Sequence, residues 1–120
     1  MPFQQRDIVK VKLGIPNVEE DVHPFLIISC ELANSRGNER SYTGVMMTHS
    51  PNKDRFTLQV TADMVEGHWD EKWVQIRLHL IVTFTESNIS RDITHYVGRI
   101  KKIDFKNIVD QIRDFVFNPD

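Results

Sequence analysis

The sequence predicts a small, mainly β domain in which a strongly bent sheet or barrel carries one helix packed against it. Apolar residues recur at every second position in several short segments between residues 8 and 84, which is the period of half-buried strands. Only the final segment has apolar residues three and four positions apart, as a helix requires. Five short strands followed by one helix favour a bent sheet or barrel, and residues 1–120 are expected to form one domain.

The first two strands are predicted at residues 8–13 and 24–29. Alternation in the first strand ends at Gly14, where a polar loop begins. The second segment is an unbroken apolar run rich in β-branched residues, so it is expected to be buried on both faces. Proline is acceptable at the first residue of such a strand, which places His23 at the boundary between loop and strand.

Three further strands are predicted at residues 42–48, 56–61 and 74–84, separated by turn-forming residues. The last of them has the strictest alternation in the sequence, with glutamine, arginine, histidine and threonine on its polar face. Its predicted apolar face consists of Val74, Ile76, Leu78, Leu80, Val82 and Phe84.

The C-terminal helix is predicted to begin after Asp104, a residue type that caps helix N-termini, and to end at Asn118 and Pro119. Its apolar stripe has to pack on the sheet. The stripe consists of Phe105, Ile108, Val109, Ile112, Phe115 and Val116.

Composition limits the possible classes. A formal net charge of -2 gives no field of one sign, so any site for a polyanion must be a local patch. Cys30 is the only cysteine, which indicates a reducing compartment, and it is expected to be a small buried apolar residue. No apolar run approaches the roughly 20 residues of a membrane span, so a cytoplasmic protein is expected. Because a domain this small buries only about two-thirds of its unfolded surface, dimerisation would aid its stability.

Several motifs with known chemistry are missing from the sequence. It has no Gly-rich phosphate loop, no Cys-x-x-Cys pair, no His-Glu-x-x-His and no Gly-x-Ser-x-Gly, which argues against a Walker-type nucleotidase and against a zincin. The five histidines do not pair at metal-ligand spacing, so we expect no metal and no cofactor. Trp69 and Trp73 are interpreted as packing residues in preference to a platform for stacking bases.

The order of the segments is informative. "RDIVKVKL", "HPFLIIS" with "CELAN", "MMTHSPNK", "FTLQV", "VQIRLHLIVTF" and "VGRIKKIDFKNIVDQI" together resemble the MazF/PemK family of toxin endoribonucleases over roughly residues 6–116. This resemblance implies an SH3-like barrel of five to six strands with a C-terminal helix. It also implies a homodimer, cleavage of single-stranded RNA such as mRNA without a metal ion, and an antitoxin protein as partner.

The resemblance also implies a site. The family has an arginine before the proline that starts the second strand, and a threonine or serine at the end of the third. Thr48 in "MMTHS" matches the hydroxyl position, whereas His23 stands at the arginine position. The resemblance therefore makes His23 and Thr48 the candidate catalytic residues.

Chemistry permits histidine at that position. Metal-free RNA cleavage needs proton transfer at the 2'-hydroxyl and the 5'-oxygen, and stabilisation of negative charge on the phosphoryl group. Imidazole suits proton transfer, whereas arginine suits phosphate binding. With histidine at this position, the cation must come from elsewhere on the adjoining strands and loops. The candidate RNA-binding residues are Ser50, Lys53, Arg55, Arg77 and His79.

Simpler interpretations stay open at the sequence level. His23 could be a polar residue before a strand that hydrogen-bonds a neighbouring loop, Thr48 an ordinary strand-end hydroxyl, and His79 a solvated side chain. Two other functions are also compatible with the sequence. One is a toxin that inhibits a protein target, as in the gyrase-directed CcdB family, and the other is a catalytically silent relative that binds RNA or an antitoxin.

Overall fold

The computed structural model describes residues 3–12, 22–49, 53–67, 69, 74–89 and 96–120. Seven strands and two helices are defined in this part of the chain. In chain order they are β1 (Asp7–Lys12), β2 (Val22–Ile27), α1 (Glu31–Asn34), β3 (Ser41–Thr48), β4 (Thr57–Val60), β5 (Val65–Glu66), β6 (Val74–Thr85), β7 (Tyr96–Ile100) and α2 (Lys102–Phe115). Two 3₁₀ turns, Ala62–Met64 and Glu86–Asn88, follow β4 and β6.

All seven strands belong to one curled antiparallel sheet with the order β4-β6-β3-β2-β1-β7-β5. The predicted mainly β fold with a C-terminal helix is confirmed, with seven strands instead of five to six. The described residues form no ladder between the two end strands, so the sheet is closer to a half-barrel than to a closed barrel.

The sheet is covered on both faces. Buried side chains of β1 alternate between two clusters, with Ile8 in one and Val9 in the other, and Leu26 and Phe25 do the same in β2. This confirms that β2 is buried on both faces, as its unbroken apolar run predicts. The helix-side core contains Ile8, Leu26, Val45, Met47, Val60, Val65, Trp69, Val74, Ile76, Leu78, Ile100, Phe105, Ile108 and Ile112. The second core contains Val9, Val11, Phe25, Ile27, Tyr42, Phe84 and Ile89.

Strand β6 bends sharply where its pairing with β3 changes register. Val45 pairs with Ile81, but Met47 pairs with Ile76, so four residues of β6 (77–80) lie between these pairs where β3 has only Met46. The prediction of one continuous apolar face on β6 is therefore wrong. Its first half contributes to the helix-side core and Phe84 to the second core, while Leu80 in the bend is 39% exposed.

The C-terminal helix begins three residues earlier than the sequence predicts. Lys101, and not Asp104, is the N-cap, and it makes no side-chain capping hydrogen bond. The chain instead turns directly out of β7, because the Lys101 amide donates to the Met64 carbonyl (2.9 Å) and the Lys101 carbonyl accepts from Phe105 (2.9 Å). Asp104 lies in the first turn, where a carboxylate is favoured by the helix dipole.

Two predictions about individual side chains have different outcomes. The expectation that Cys30 is buried is wrong: it is exposed, because β2 ends at Ile27 and Cys30 is the N-cap residue of α1. Trp69 is only 8% exposed and belongs to the helix-side core, as its interpretation as a packing residue predicts. Trp73 lies outside the described residues.

A polar network closes the second core at the end of the sheet away from Thr48. The Tyr42 hydroxyl donates to the carboxylate of Glu86 and accepts a hydrogen bond from Arg40 Nε (3.0 Å). Arg40 also donates to both carboxylate oxygens of Glu31 and to the Phe3 carbonyl (2.8 Å). Burial, reinforced by the hydrogen bond to Glu86, raises the pKa of Tyr42 to about 12.

Among the helices that the structure describes, none combines the length and the apolar character needed to cross a membrane.

Candidate functional site

A row of three polar side chains crosses the sheet where β3 ends. Gln75 of β6 is the register partner of Thr48 on β3 and of Gln59 on β4. Directly opposed residues of neighbouring strands project to the same face of a sheet, so these three share one face. The adjacent row, one residue along each strand, is Met47, Ile76 and Leu58, which pack in or against the helix-side core. The polar row therefore lies on the opposite face, away from α2.

His23 lies on this same face. In the β2–β3 ladder Phe25 pairs with Met46 and Leu26 with Val45, so continuing the register by two residues brings His23 opposite Thr48. His23 is also the register partner of Val11 in the second core, and Phe25, two residues along β2, belongs to that core too. The two candidate catalytic residues thus occupy neighbouring strands at one end of the sheet. His23 is the second residue of β2, inside the strand and not at its boundary as predicted.

The candidate RNA-binding cations lie further along the same face, towards β4. Arg77 is two residues beyond Gln75 on β6 and is the register partner of Thr57. Its guanidinium lies 3.6 Å from a carboxylate oxygen of Asp54, and its side chain is 17% exposed. The contact with Asp54 fixes the position of the Arg77 charge and neutralises part of it.

Asp54 organises the turn before β4. Its Oδ1 atom accepts the Phe56 amide at 2.8 Å, and its carbonyl accepts the Thr57 hydroxyl at 2.8 Å. This turn presents Lys53 and Arg55, both of which are exposed.

His79 lies beside the same turn, in the bend of β6. It is exposed, and its ring packs against Phe56 with 5.1 Å between the ring centroids. Of the seven predicted site residues, His23 and Thr48 thus lie on neighbouring strands, and Lys53, Arg55, Arg77 and His79 group around the β4 end of β6. Ser50 lies outside the described residues.

Sequence reasoning missed Gln75 and Gln59 as members of the site. Strict alternation along β6 does place Gln75 on the polar face with Arg77, but nothing in the sequence distinguishes it from a solvated glutamine. In the structure Gln75 is only 1% exposed, whereas Gln59 is exposed. The Oε1 atom of Gln75 is buried and accepts no hydrogen bond from any described residue.

The chemistry available on this face is proton transfer and hydrogen bonding. It combines an imidazole, a hydroxyl, two amides and a guanidinium within four adjacent strands. Such groups can move a proton and bind the oxygens of a phosphodiester. Among the residues that the structure describes, no group of three histidine, cysteine, aspartate or glutamate side chains is placed to hold a metal ion.

The fold is similar to that of three solved mycobacterial proteins. An endoribonuclease in complex with its cognate antitoxin, from a mycobacterial species, superimposes with a TM-score of 0.69 at 14% identity, covering 98% of each chain. A second mycobacterial endoribonuclease gives a TM-score of 0.70 at 12% identity, covering 98% of this chain and 93% of its own. The Mycobacterium tuberculosis toxin MazF-mt6 gives 0.65 at 14% identity, covering 91% of this chain and 94% of its own.

These similarities define the class of the fold, a toxin-type half-barrel. The family can be stated more narrowly, because the model of the PemK-like, MazF-like toxins of type II toxin–antitoxin systems matches residues 4–116. The chain belongs to that family. No curated protein is significantly similar to it in sequence.

Proposed function

We propose that this protein is the toxin of a type II toxin–antitoxin pair and that it cleaves single-stranded RNA without a metal ion. The observation that supports the proposal is that β2 and β3, which contain His23 and Thr48, are neighbouring strands whose register, continued by two residues, brings these two positions to one face of the sheet. Membership of the toxin family supports it, as do the structural relatives described as endoribonucleases.

The proposed reaction starts from the 2'-hydroxyl of the RNA. This hydroxyl loses its proton and attacks the adjacent phosphorus, and the 5'-oxygen of the next nucleotide leaves and takes up a proton. His23 moves a proton in this exchange, since an imidazole can both accept and donate one near neutral pH. Thr48 donates a hydrogen bond to an oxygen of the phosphoryl group, whose negative charge increases as the new bond forms.

The neighbouring cations bind the RNA backbone. Arg77, Lys53 and Arg55 lie on the β4 side of the site, where they are suited to contact phosphates of the flanking nucleotides. The exposed ring of His79, packed on Phe56, offers a surface for a base, and Ser50 follows Thr48 closely enough in the chain to contact the same nucleotide. Arg77 is always charged, and it takes over the phosphate-binding role that the family's arginine has at the position of His23.

The proposed partners follow from the same assignment. The toxin forms a homodimer and is neutralised by an antitoxin protein, and one structural relative is itself in complex with its cognate antitoxin. Its substrate is mRNA, so it acts in the cytoplasm.

The test is cleavage of a long single-stranded RNA by the purified protein in the presence of a chelator, followed by mapping of the ends. The parent should give defined ends, and Thr48→Ala and His23→Ala should each lower the rate by about 100-fold or more, the contribution typical of one acid–base group. Thr83→Ala is the matched control, because Thr83 is exposed on the far half of β6. Unchanged rates in both site variants would show that the site is assigned wrongly.

The same assay separates the other functions. Intact RNA together with inhibition of a topoisomerase would identify a toxin of the CcdB type. RNA binding without cut ends would identify a catalytically silent relative.

A further inference from the structure

Gln75 has an unusual environment for a glutamine in a sheet. It is 1% exposed, and its Oε1 atom is buried without a hydrogen-bond donor among the described residues. Amide oxygens in such positions are normally paired, because an unmade hydrogen bond leaves the lost hydration uncompensated. The fold therefore tolerates a polar atom that costs stability.

The position of Gln75 suggests a function for this unpaired amide oxygen. Its register partner on β3 is Thr48, and continuing the β2–β3 register places His23 on the far side of Thr48. Gln75 is thus in the central strand of the polar row, one strand away from the residue proposed to contact the phosphoryl group. An acceptor at this place is suited to an N–H or O–H of the nucleotide being cut.

We propose that Gln75 is a substrate-binding residue of the site, and that its amide oxygen accepts a hydrogen bond from the RNA at the scissile nucleotide. The inference rests on the proposed ribonuclease function and adds to it a residue that the family resemblance of the sequence did not indicate. RNA offers suitable donors in its ribose hydroxyls and in the amino and imino groups of its bases. An apolar ligand would leave the acceptor unpaired.

The contact forms late on the reaction path. Because Oε1 is shielded from solvent in the free protein, the groups above it have to move before a nucleotide can reach it. We place the full contact in the transition state, and binding energy gained only there raises kcat and leaves KM nearly unchanged. The loss of Gln75 should therefore appear mainly in kcat.

The test compares Gln75→Met with Gln111→Met. Methionine has nearly the shape of glutamine but no hydrogen-bonding amide, and Gln111 lies on α2, which packs on the opposite face of the sheet. Urea unfolding and single-site RNA cleavage with separate kcat and KM are measured for both variants and the parent. For Gln75→Met we expect a urea midpoint equal to or above that of the parent, with kcat at least 10-fold lower and KM changed by less than about threefold. Gln111→Met should keep the parent's kcat.

Opposite results overturn the inference. A lower urea midpoint or an unfolded Gln75→Met protein would show that the amide is a structural element with a partner. Cleavage at the parent's rate by a stable Gln75→Met protein would exclude a contact with the RNA and leave the proposed function intact. A parent protein that leaves RNA uncut would overturn the proposed function and this inference together.

Discussion

Replacing Tyr42 by phenylalanine removes one oxygen from the network that closes the second core. The ring stays, and with it the packing against Phe84, whose centroid is 5.8 Å away. What is lost is the hydrogen bond to Glu86 and the one from Arg40. Hydrogen bonds to charged groups contribute about 1.5–3 kcal/mol, but both partners are partly exposed and regain water. We therefore expect Tyr42→Phe to lower the free energy of unfolding by about 1–2 kcal/mol near neutral pH.

This difference should disappear in alkali. Tyrosine has an ordinary pKa of about 10, and burial raises the pKa of Tyr42 to about 12. A raised pKa means that the unfolded chain loses its proton first, so the stabilisation is complete below pH 10 and is lost as the pH rises towards 12. By pH 11 the parent should have lost about 1.4 kcal/mol through this group, whereas the phenylalanine variant has no such group to titrate.

Urea unfolding of both proteins at half-unit steps from pH 8 to pH 11 measures this effect. The lysines and the other tyrosine titrate equally in both proteins, so their contributions cancel in the difference between the two free energies of unfolding. The expected result is a gap of 1–2 kcal/mol at pH 8, as estimated above, that closes by pH 11. A gap that stays constant with pH would refute the assignment of the alkaline loss to Tyr42, and equal stability at pH 8 would show that the network contributes nothing.

Three further predictions concern packing, buried charge and the reaction. Gly44→Ala should cost about 1–3 kcal/mol in urea unfolding, while Gly37→Ala changes stability by less than about 0.5 kcal/mol. The reason is that a Cβ on Gly44 would lie 2.8 Å from a ring carbon of Phe84, whereas the nearest atom at Gly37 is 3.4 Å away. Burial raises the pKa of Asp7, so the stability that this carboxyl gives the parent is greatest at acid pH and falls as the pH rises through that pKa. Asp7→Asn should therefore be at least as stable as the parent at pH 7, and the difference should shrink towards pH 3. Urea midpoints in which the advantage of Asp7→Asn grows towards pH 3 would contradict this. Finally, RNA cleavage by the parent should change several-fold between about pH 5.5 and 8, whereas His23→Arg gives a flat profile; overlapping profiles would exclude His23 as the proton carrier.

The sequence was most informative where burial imposes a period on the chain. The five predicted strands and the helix are present because alternation, or spacing by three and four, records which side of an element is covered. β5 and β7 were not predicted, since β5 has only two residues and β7 contains Gly98 and Arg99 in five. β7 pairs with β1, which is distant in sequence, and β5 pairs with β7, and local patterns carry no record of either pairing.

The register shift in β6 shows a second limit. Its side chains alternate strictly in the sequence, yet the face that is buried changes at the bend. A bulge is decided by how the strand fits two different partners, β3 and β4, and not by its own residues.

The sequence predicted which positions belong to the site, but not the contacts that their side chains make. The strand-end placement of Thr48 and the residue before Pro24 could be found from segment order, and the structure brings these two positions to neighbouring strands. The ion pair of Arg77 with Asp54 and the unpaired amide of Gln75 could not be found in this way. Both depend on distances and solvent exclusion between side chains that are far apart in the chain.

The two strands at the ends of the sheet have a consequence for self-association. β4 has four residues and β5 has two, so each end strand offers little unpaired backbone. β6 is much longer than β4, however, and residues 81–85 of β6 pair with β3 on one side but with no described strand on the other. Long exposed edges are templates for strand-by-strand addition. A second chain that extends this sheet would therefore add beside the second half of β6, because the two end strands are too short to serve as templates.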